Sequence, residues 1–478
     1  MTVYPIIIGG EKRETGKTFA IFNPYDGNKI ADICVAEEKE IDDALKSAKL
    51  GFEILKESTI RMRVGWLNKA EKLLEERKED FARTISIESG KTIREARGEV
   101  SRSCETIRLS AIAAEEHMGG KVLPIETAPA SEGKWGFCKR FPTGPVLAIT
   151  PFNFPLNLAV HKVGPAIAAG NSVILKPASW TPITGLMLGD LLLDAGVPKP
   201  AVSVLIGPGG SVAEPIASSD IIKVVTFTGS PSVGQRLAKI AGMKHFAFEL
   251  GSNSAVYVDS DADIMTAAAR ITLGAYALAG QVCISTQRAY IHREVFDEFK
   301  ELLISNVRAL KVGDPMDELT DVGPMITVAE AERIESWVNL AVKSGAKILI
   351  GGTRDGSIYE PTVLTEVPSN ANIVASEAFG PVLVIEPVDS PEEAFSAIDR
   401  SVYGLQAGIF TSNIHLAKAA FDKIDVGGVI INDIPTWRAD LIPYGGNKLS
   451  GIGREGPEFA LEHMTVWKSF IVQSPLDR

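Results

Sequence analysis

From Gly144 onward the sequence alternates between short apolar runs and amphipathic stretches, and this rhythm constrains the fold more than any other feature. GPVLAIT is followed by LAVHKVGPAIAAG, and NSVILKPA by PITGLMLGDLLLDAG; AVSVLIG, VAEPIAS, KVVTFTGS, VGQRLAKIAG and FAFEL continue the series. Strand, helix, strand at this spacing predicts a parallel sheet with crossover helices. Such sheets bind ligands at the carboxyl ends of their strands, so the residues after each strand are the first candidates for a site.

A chain of 478 residues is too long for one hydrophobic core. After Glu249 the alternation starts again with SAVYVD, ADIMTAAARITLGAYALAG and QRAYIH, which predicts a second α/β domain. Before Gly144 the pattern differs. The runs YPIII, FAIF and KIADICVA, broken by Gly, Pro and Asp, suit a small antiparallel sheet. From Glu38 to about Glu116, apolar residues recur at helical spacing, and the segment Lys121 to Arg140 has weak strand character.

The balance of charge narrows the function. A net charge of −11 argues against a general nucleic-acid binder, although it leaves room for a small basic pocket that takes an acidic substrate. The four cysteines, Cys34, Cys104, Cys138 and Cys283, are far apart without a CxxC, and the six histidines are scattered. Neither a disulfide framework nor a metal site is predicted. The start, MTVYPIIIGGEKRE, lacks the pattern of a signal peptide, and no run of eighteen apolar residues occurs. The expectation is a cytoplasmic protein that binds neither membrane nor nucleic acid.

The dinucleotide fingerprint G-x-G-x-x-G is missing. PFNFP follows the first strand, and GPGGSV has Val212 where the third glycine belongs. In FTGSPSVG, however, Gly229 and Ser230 stand between a strand and a helix, where backbone N–H groups meet a pyrophosphate as readily as they form a plain turn. Cys283 sits among small residues in AGQVCIST, just past a long helix and near the seam of the two domains. Ligand sites gather at seams. A buried cysteine by default is simply a small hydrophobe.

Seven segments in one order tip that balance: PFNFP (151–155), GNSVILKPAS (170–179), FTGS (227–230), ELGSN (249–253), GQVC (280–283), EAFGPV (377–382) and PYGGNKLSGIGREG (443–456). Together they resemble the NAD(P)-dependent aldehyde dehydrogenase superfamily. The resemblance implies an α/β fold with a Rossmann-like parallel-sheet cofactor domain (1–120 and 141–248), a second α/β catalytic domain (249–448) and a small β oligomerisation arm (121–140 and 467–478). It implies Cys283 as the nucleophile that adds to an aldehyde, and a thiol of ordinary pKa about 8.5 needs activation to do so. It implies the side-chain amide of Asn153 and the Cys283 N–H as donors to the resulting oxyanion, Glu249 as the base for thioester hydrolysis, and Lys162 as its proton relay.

Cofactor contacts carry over in the same way. Thr150, Pro151, Lys176, Ser179, Gly209, Gly229, Ser230, Glu377 and Phe379 match positions that meet NAD or NADP. NAD-preferring members usually have glutamate where this chain has Ser179, so Ser179 permits NADP. Two further departures are Ser252 in ELGSN, where glycine is usual, and Ser376, which replaces the first of two acidic residues. Arg108, His161 and Arg438 fall where the family lines its substrate channel. Two arginines and a histidine suit a small aldehyde bearing a carboxylate, phosphate, phosphonate or sulfonate, or a hydroxy aldehyde; surface salt bridging is the competing role for the arginines. The arm implies a homodimer or homotetramer. Two alternatives stand beside hydrolysis to the acid: acyl transfer to coenzyme A, against which Glu249 speaks, and an inert structural member of the fold.

Overall fold

The structure, a computed structural model, describes residues 2–474. Two large sheets organise it. The first has eight strands, five of them parallel at its centre: Val202–Val204, Val173–Lys176, Val146–Ile149, Val224–Thr228 and His245–Glu249. All five are almost wholly buried except where the last begins, because helices cover both faces; this explains their continuous apolar runs. The chain builds outward from Val146–Ile149 in one direction and then returns to add Val224–Thr228 on its other side. The order therefore reverses between these two strands, and a crevice opens beyond their carboxyl ends.

The second sheet has seven strands, all parallel except the edge strand Lys347–Ile350. Ala255–Val258 is central, flanked by Arg288–His292 and Gln406–Phe410. Each sheet has its own apolar core: Ile174, Leu147 and Val225 are completely buried in the first, and Val256, Ile291 and Leu383 in the second.

The amino-terminal segments divide differently from the small antiparallel sheet expected of them. Thr18–Phe22 and Lys29–Cys34 do form an antiparallel pair. Ile6–Ile8, by contrast, pairs with Val202–Val204 and extends the first large sheet, which is why all three of its residues are buried. Its partner lies almost two hundred residues away, so local pattern could not disclose it. The helical stretch resolves into Glu38–Lys56, Ile60–Glu76, Lys78–Ser89 and Ile93–His117.

A third sheet stands apart, with Lys134–Pro142 between Lys121–Val122 and Thr465–Gln473. It runs a little past the expected arm at both junctions, and positions 475–478 of that arm lie outside the described residues. After the second sheet the chain returns to the first, where Gly451–Ile452 pairs antiparallel with Phe248 and Glu249. That return carries the segment 443–456 across the seam and onto the end of the strand bearing Glu249.

Candidate active site

Cys283 is placed by a strained turn. The helix Ile264–Tyr276 ends, and Leu278, Ala279 and Gly280 follow with φ of 46°, 51° and 70°. L side chains rarely adopt this left-handed region. At Gly280 a Cβ would run into the carbonyl of Gly380, so the position admits only glycine. The turn is held from outside: Glu95 Oε1 accepts the Leu278 N–H at 2.9 Å, and Gln281 Nε2 donates to the Leu278 carbonyl at 3.1 Å.

Gln281 also sets the orientation of Asn153. Its backbone carbonyl accepts from Asn153 Nδ2 at 2.9 Å, while its own side-chain oxygen accepts the Ile326 N–H at 2.9 Å. An amide nitrogen has two hydrogens, so Asn153 keeps one for a second acceptor. The loop carrying Asn153 is fixed by a buried ion pair of Lys91 and Glu99. Glu99 Oε1 accepts from the N–H groups of Leu156 and Asn157 at 2.9 and 3.0 Å, and Lys91 Nζ lies 3.7 Å from the centre of the Phe154 ring.

On one side of Cys283 lies a cleft of 460 Å³ that opens onto the crevice of the first sheet. Its lining includes Pro151, Asn153, Gly229, Ser230, Glu377 and Phe379. Glu377 Oε1 accepts the Ser252 N–H at 2.9 Å, and burial pushes its carboxyl up to about 7. Phe379, with φ 49°, stacks edge-on to Phe152 at 5.9 Å. Thr150 is buried at the end of its strand, its N–H bonded to the Lys176 carbonyl at 3.2 Å. Lys176 is buried and makes no ion pair among the described residues, and burial lowers its ammonium to about 8. A buried ammonium of this kind calls for oxygen acceptors from a ligand. A second cavity of 410 Å³ adjoins Ser179, Pro208 and Ser211, with Lys17, Glu37 and Glu38 on its rim. Ser179 donates to the Gly207 carbonyl at 3.2 Å, and Gly209, exposed beside Pro208, opens the short π-helical turn Gly209–Ala213. Cleft, lone ammonium and strand-end glycine fit a dinucleotide.

On the other side of Cys283 is a buried polar network. Lys162 Nζ donates to Thr228 Oγ1 and to Glu455 Oε1, both at 2.7 Å. Arg438 Nη2 reaches Glu455 Oε2 and His161 Nε2, each at 3.1 Å, and its guanidinium lies 3.6 Å over the Tyr444 ring. His161 Nε2 lies 3.1 Å from Asp440 Oδ1, and Arg102 Nη2 closes the chain on the same oxygen at 2.6 Å. Burial opposes ionisation of Glu455, but Lys162 and Arg438 win and hold it below the usual carboxylate range. Glu249 is the reverse: burial and the Glu455 charge push its carboxyl well above that range, and its Oε2 has no partner. Burial raises the Cys283 thiol to about 11, against the pull of the Tyr444 hydroxyl.

Arg108 does not join this network. It is exposed and forms a surface pair with Glu105 at 2.6 Å, because its face of the helix Ile93–His117 points to solvent. The arginine of that helix that reaches inward is Arg102. Glu455 and Tyr444 lie within the carboxyl-terminal motif and Gln281 within GQVC, whereas Arg102 and Asp440 carry no linear signal. Ser252 pairs with Ser254 at 3.0 Å.

Two parallel-sheet units, a crevice at a switch point and a thiol on the cleft floor define a two-domain, dinucleotide-dependent oxidoreductase. The chain belongs to the aldehyde dehydrogenase family, whose model matches residues 11–470. It is 45% identical over 462 residues to the 3-sulfolactaldehyde dehydrogenase of Priestia megaterium, covering 97% of this chain and 96% of the relative. The lactaldehyde dehydrogenase of Methanococcus maripaludis is 39% identical over 458 residues, 95% of this chain and 97% of the relative. Among solved structures, glyceraldehyde-3-phosphate dehydrogenase GapN from Methanocaldococcus jannaschii, complexed with NADP, superposes with a TM-score of 0.92 at 36% identity, covering 96% of this chain and all of that one. The protein is an NAD(P)-dependent aldehyde dehydrogenase.

Proposed function

We propose that the enzyme oxidises a small 2-hydroxy aldehyde, with an anionic group at its far end, to the carboxylic acid. The observation that carries the substrate class is the excess of fixed positive charge beside the thiol. Arg102, Arg438 and Lys162 face Asp440, Glu455 and the Glu249 carboxyl, whose raised pKa favours its neutral form, while burial lowers the pKa of His161 and favours its neutral form as well. An anion completes such a cluster, and arginine grips oxyanions in two places at once. The aldehydes named for the three relatives all carry a hydroxyl beside the carbonyl, and two of them also carry a sulfonate or phosphate.

The chemistry proposed for this chain's residues runs through the sulfur. The Cys283 thiol gives up its proton to solvent, the thiolate adds to the aldehyde carbon as the carbonyl π pair moves to oxygen, and Asn153 Nδ2 with the Cys283 N–H holds the oxygen that becomes negative. NAD(P)+, when bound in the 460 Å³ cleft, supplies the hydride acceptor. Lys176, Gly229, Ser230 and Glu377 would hold it there, with Thr150, Pro151 and Phe379 at its edges and Ser179 toward the second cavity. Glu249 then takes a proton from the water that cleaves the thioester, and Lys162, held by Glu455, relays that proton away. The arm's face, with Trp135, Phe137, Trp467 and Phe470 exposed, supports assembly into a dimer or a dimer of dimers.

No helix among the described residues is long and apolar enough to cross a membrane. All four cysteines are free, which suits a cytoplasmic setting. The deciding experiment is a panel of anionic and neutral aldehydes assayed with NAD and with NADP, with product identified in the presence and absence of coenzyme A. Anionic 2-hydroxy aldehydes should have the highest kcat/KM and yield the free acid. A preference for neutral, unsubstituted aldehydes, or an acyl-CoA product, would overturn the proposal.

A further inference from the structure

The Tyr444 hydroxyl lies 3.2 Å from the Cys283 sulfur, and no other side chain among the described residues hydrogen-bonds that atom. Cys283 lines the cofactor cleft and Tyr444 does not, so the hydroxyl meets the sulfur from the opposite side, where Arg438 and Glu455 lie. The ring is fixed on every side. It is 3% exposed and packs with Leu278, Val282, Ile284 and Leu405. Its backbone N–H donates to the Glu455 carbonyl at 3.0 Å, the Glu455 N–H donates back at 2.6 Å, and Arg438 covers one face.

A phenylalanine would serve that packing equally well. Burying a hydroxyl costs free energy unless it has a good partner, and a thiol sulfur is a weak one. The phenol therefore keeps hydrogen-bonding capacity, as both donor and acceptor, at a spot where substrate must pass. Once the aldehyde carbon is bonded to the sulfur, its neighbouring carbon stands beside it. A hydroxyl on that carbon comes within reach of an O–H···O bond, about 2.7–2.8 Å long, to an oxygen already close to the sulfur.

We propose that Tyr444 reads the 2-hydroxyl of the substrate, turning from the sulfur in the free enzyme to the hydroxyl beside the reacting carbon. This rests on the 2-hydroxy aldehyde reading above and on Cys283 as nucleophile, but not on the anionic group. The test is kcat/KM for lactaldehyde and for propanal, which differ only in that hydroxyl, in the parent and in Tyr444→Phe. Both substrates meet the same thiol, so any effect of the variant on Cys283 ionisation cancels in their ratio.

The parent should prefer lactaldehyde. Tyr444→Phe should lower that preference about tenfold, the worth of one buried hydrogen bond at the upper end of its usual range. Turnover of propanal by the variant shows that its site is intact. A parent preference that Tyr444→Phe leaves unchanged ends the role of Tyr444 and spares the substrate class. A parent with no preference for lactaldehyde ends both.

Discussion

Replacing Glu249 by glutamine separates the two halves of the chemistry at Cys283. Glutamine keeps the volume and hydrogen-bonding groups of the side chain but cannot take a proton from water. General bases contribute roughly 10²–10⁴ in rate. Glu249 belongs in the upper part of that range, because the neighbouring carboxylate cannot replace it: Glu455 is held ionised and occupied by Lys162 at 2.7 Å and Arg438 at 3.1 Å. Addition of the thiol and loss of hydride do not need Glu249. Rapid mixing of Glu249→Gln with aldehyde and NAD(P)+ should therefore give a burst of reduced cofactor equal to one per subunit. A steady rate about 10³ below the parent's should follow. Mass spectrometry should then find the acyl group on the peptide carrying Cys283. The sign of the pH effect follows from the raised pKa. A base works only when ionised, so the parent's hydrolysis step should climb with pH through a window above the usual carboxylate range, and the variant should lose that climb. A parent-like steady rate without a burst, or an unmodified Cys283, would refute the reasoning.

The two candidate arginines should part company: Arg438→Lys keeps the charge but loses the planar fork and the stacking on Tyr444, and should raise KM about tenfold for an anionic aldehyde and far less for a neutral one. Arg108→Ala, at an exposed pair, should change neither KM nor stability by more than about 0.5 kcal/mol; a KM effect confined to anionic substrates would return Arg108 to the site. Gly280→Ala should lower the melting temperature, since the left-handed conformation alone costs about 1–2 kcal/mol and the new Cβ meets the Gly380 carbonyl. It should also cut kcat about 10²-fold by displacing the sulfur, and a parent-like kcat would show that the turn does not place Cys283. Ser179→Glu should raise KM for NADP about tenfold while leaving NAD little changed, through repulsion of the 2′-phosphate; equal effects on both would place that phosphate elsewhere.

What the sequence disclosed depended on how far each group's partner lay along the chain. The parallel strands and crossover helices were legible because each unit is local. The positions of Asn153, Glu249 and Cys283 followed from short motifs at the ends of those units. Linear position along a helix does not disclose its rotation, so the sequence points to Arg108 while the structure turns Arg102 inward. The two are six residues apart, which turns them about 120° from one another. Glu105, three residues before Arg108, is the signal that should have weighed more, since an i,i+3 pair of opposite charges marks a solvated face. Asp440 had no such mark. Its importance comes from Arg102, Thr106 and His161 converging on one carboxylate, and that convergence exists only once the loop before the carboxyl-terminal motif has folded across the seam.

That convergence also brings the motif at residues 443–456 to the nucleophile proposed at 283. The pairing of Gly451–Ile452 with the strand ending at Glu249 fixes the proposed base, and the same segment carries Tyr444 to the sulfur and Glu455 to Lys162. The buried Glu455 of that segment is matched both to Lys162 from the first large sheet's domain and to Arg438. A cluster of this kind contributes little net stability compared with apolar packing, and its desolvation cost is offset only when the two sheets are docked in one arrangement. The polar network therefore acts chiefly as a register. It ties the segment bearing Arg438, Tyr444 and Glu455 to His161 and Lys162 on the helix Asn157–Ala169, across the seam between Cys283 and Glu249.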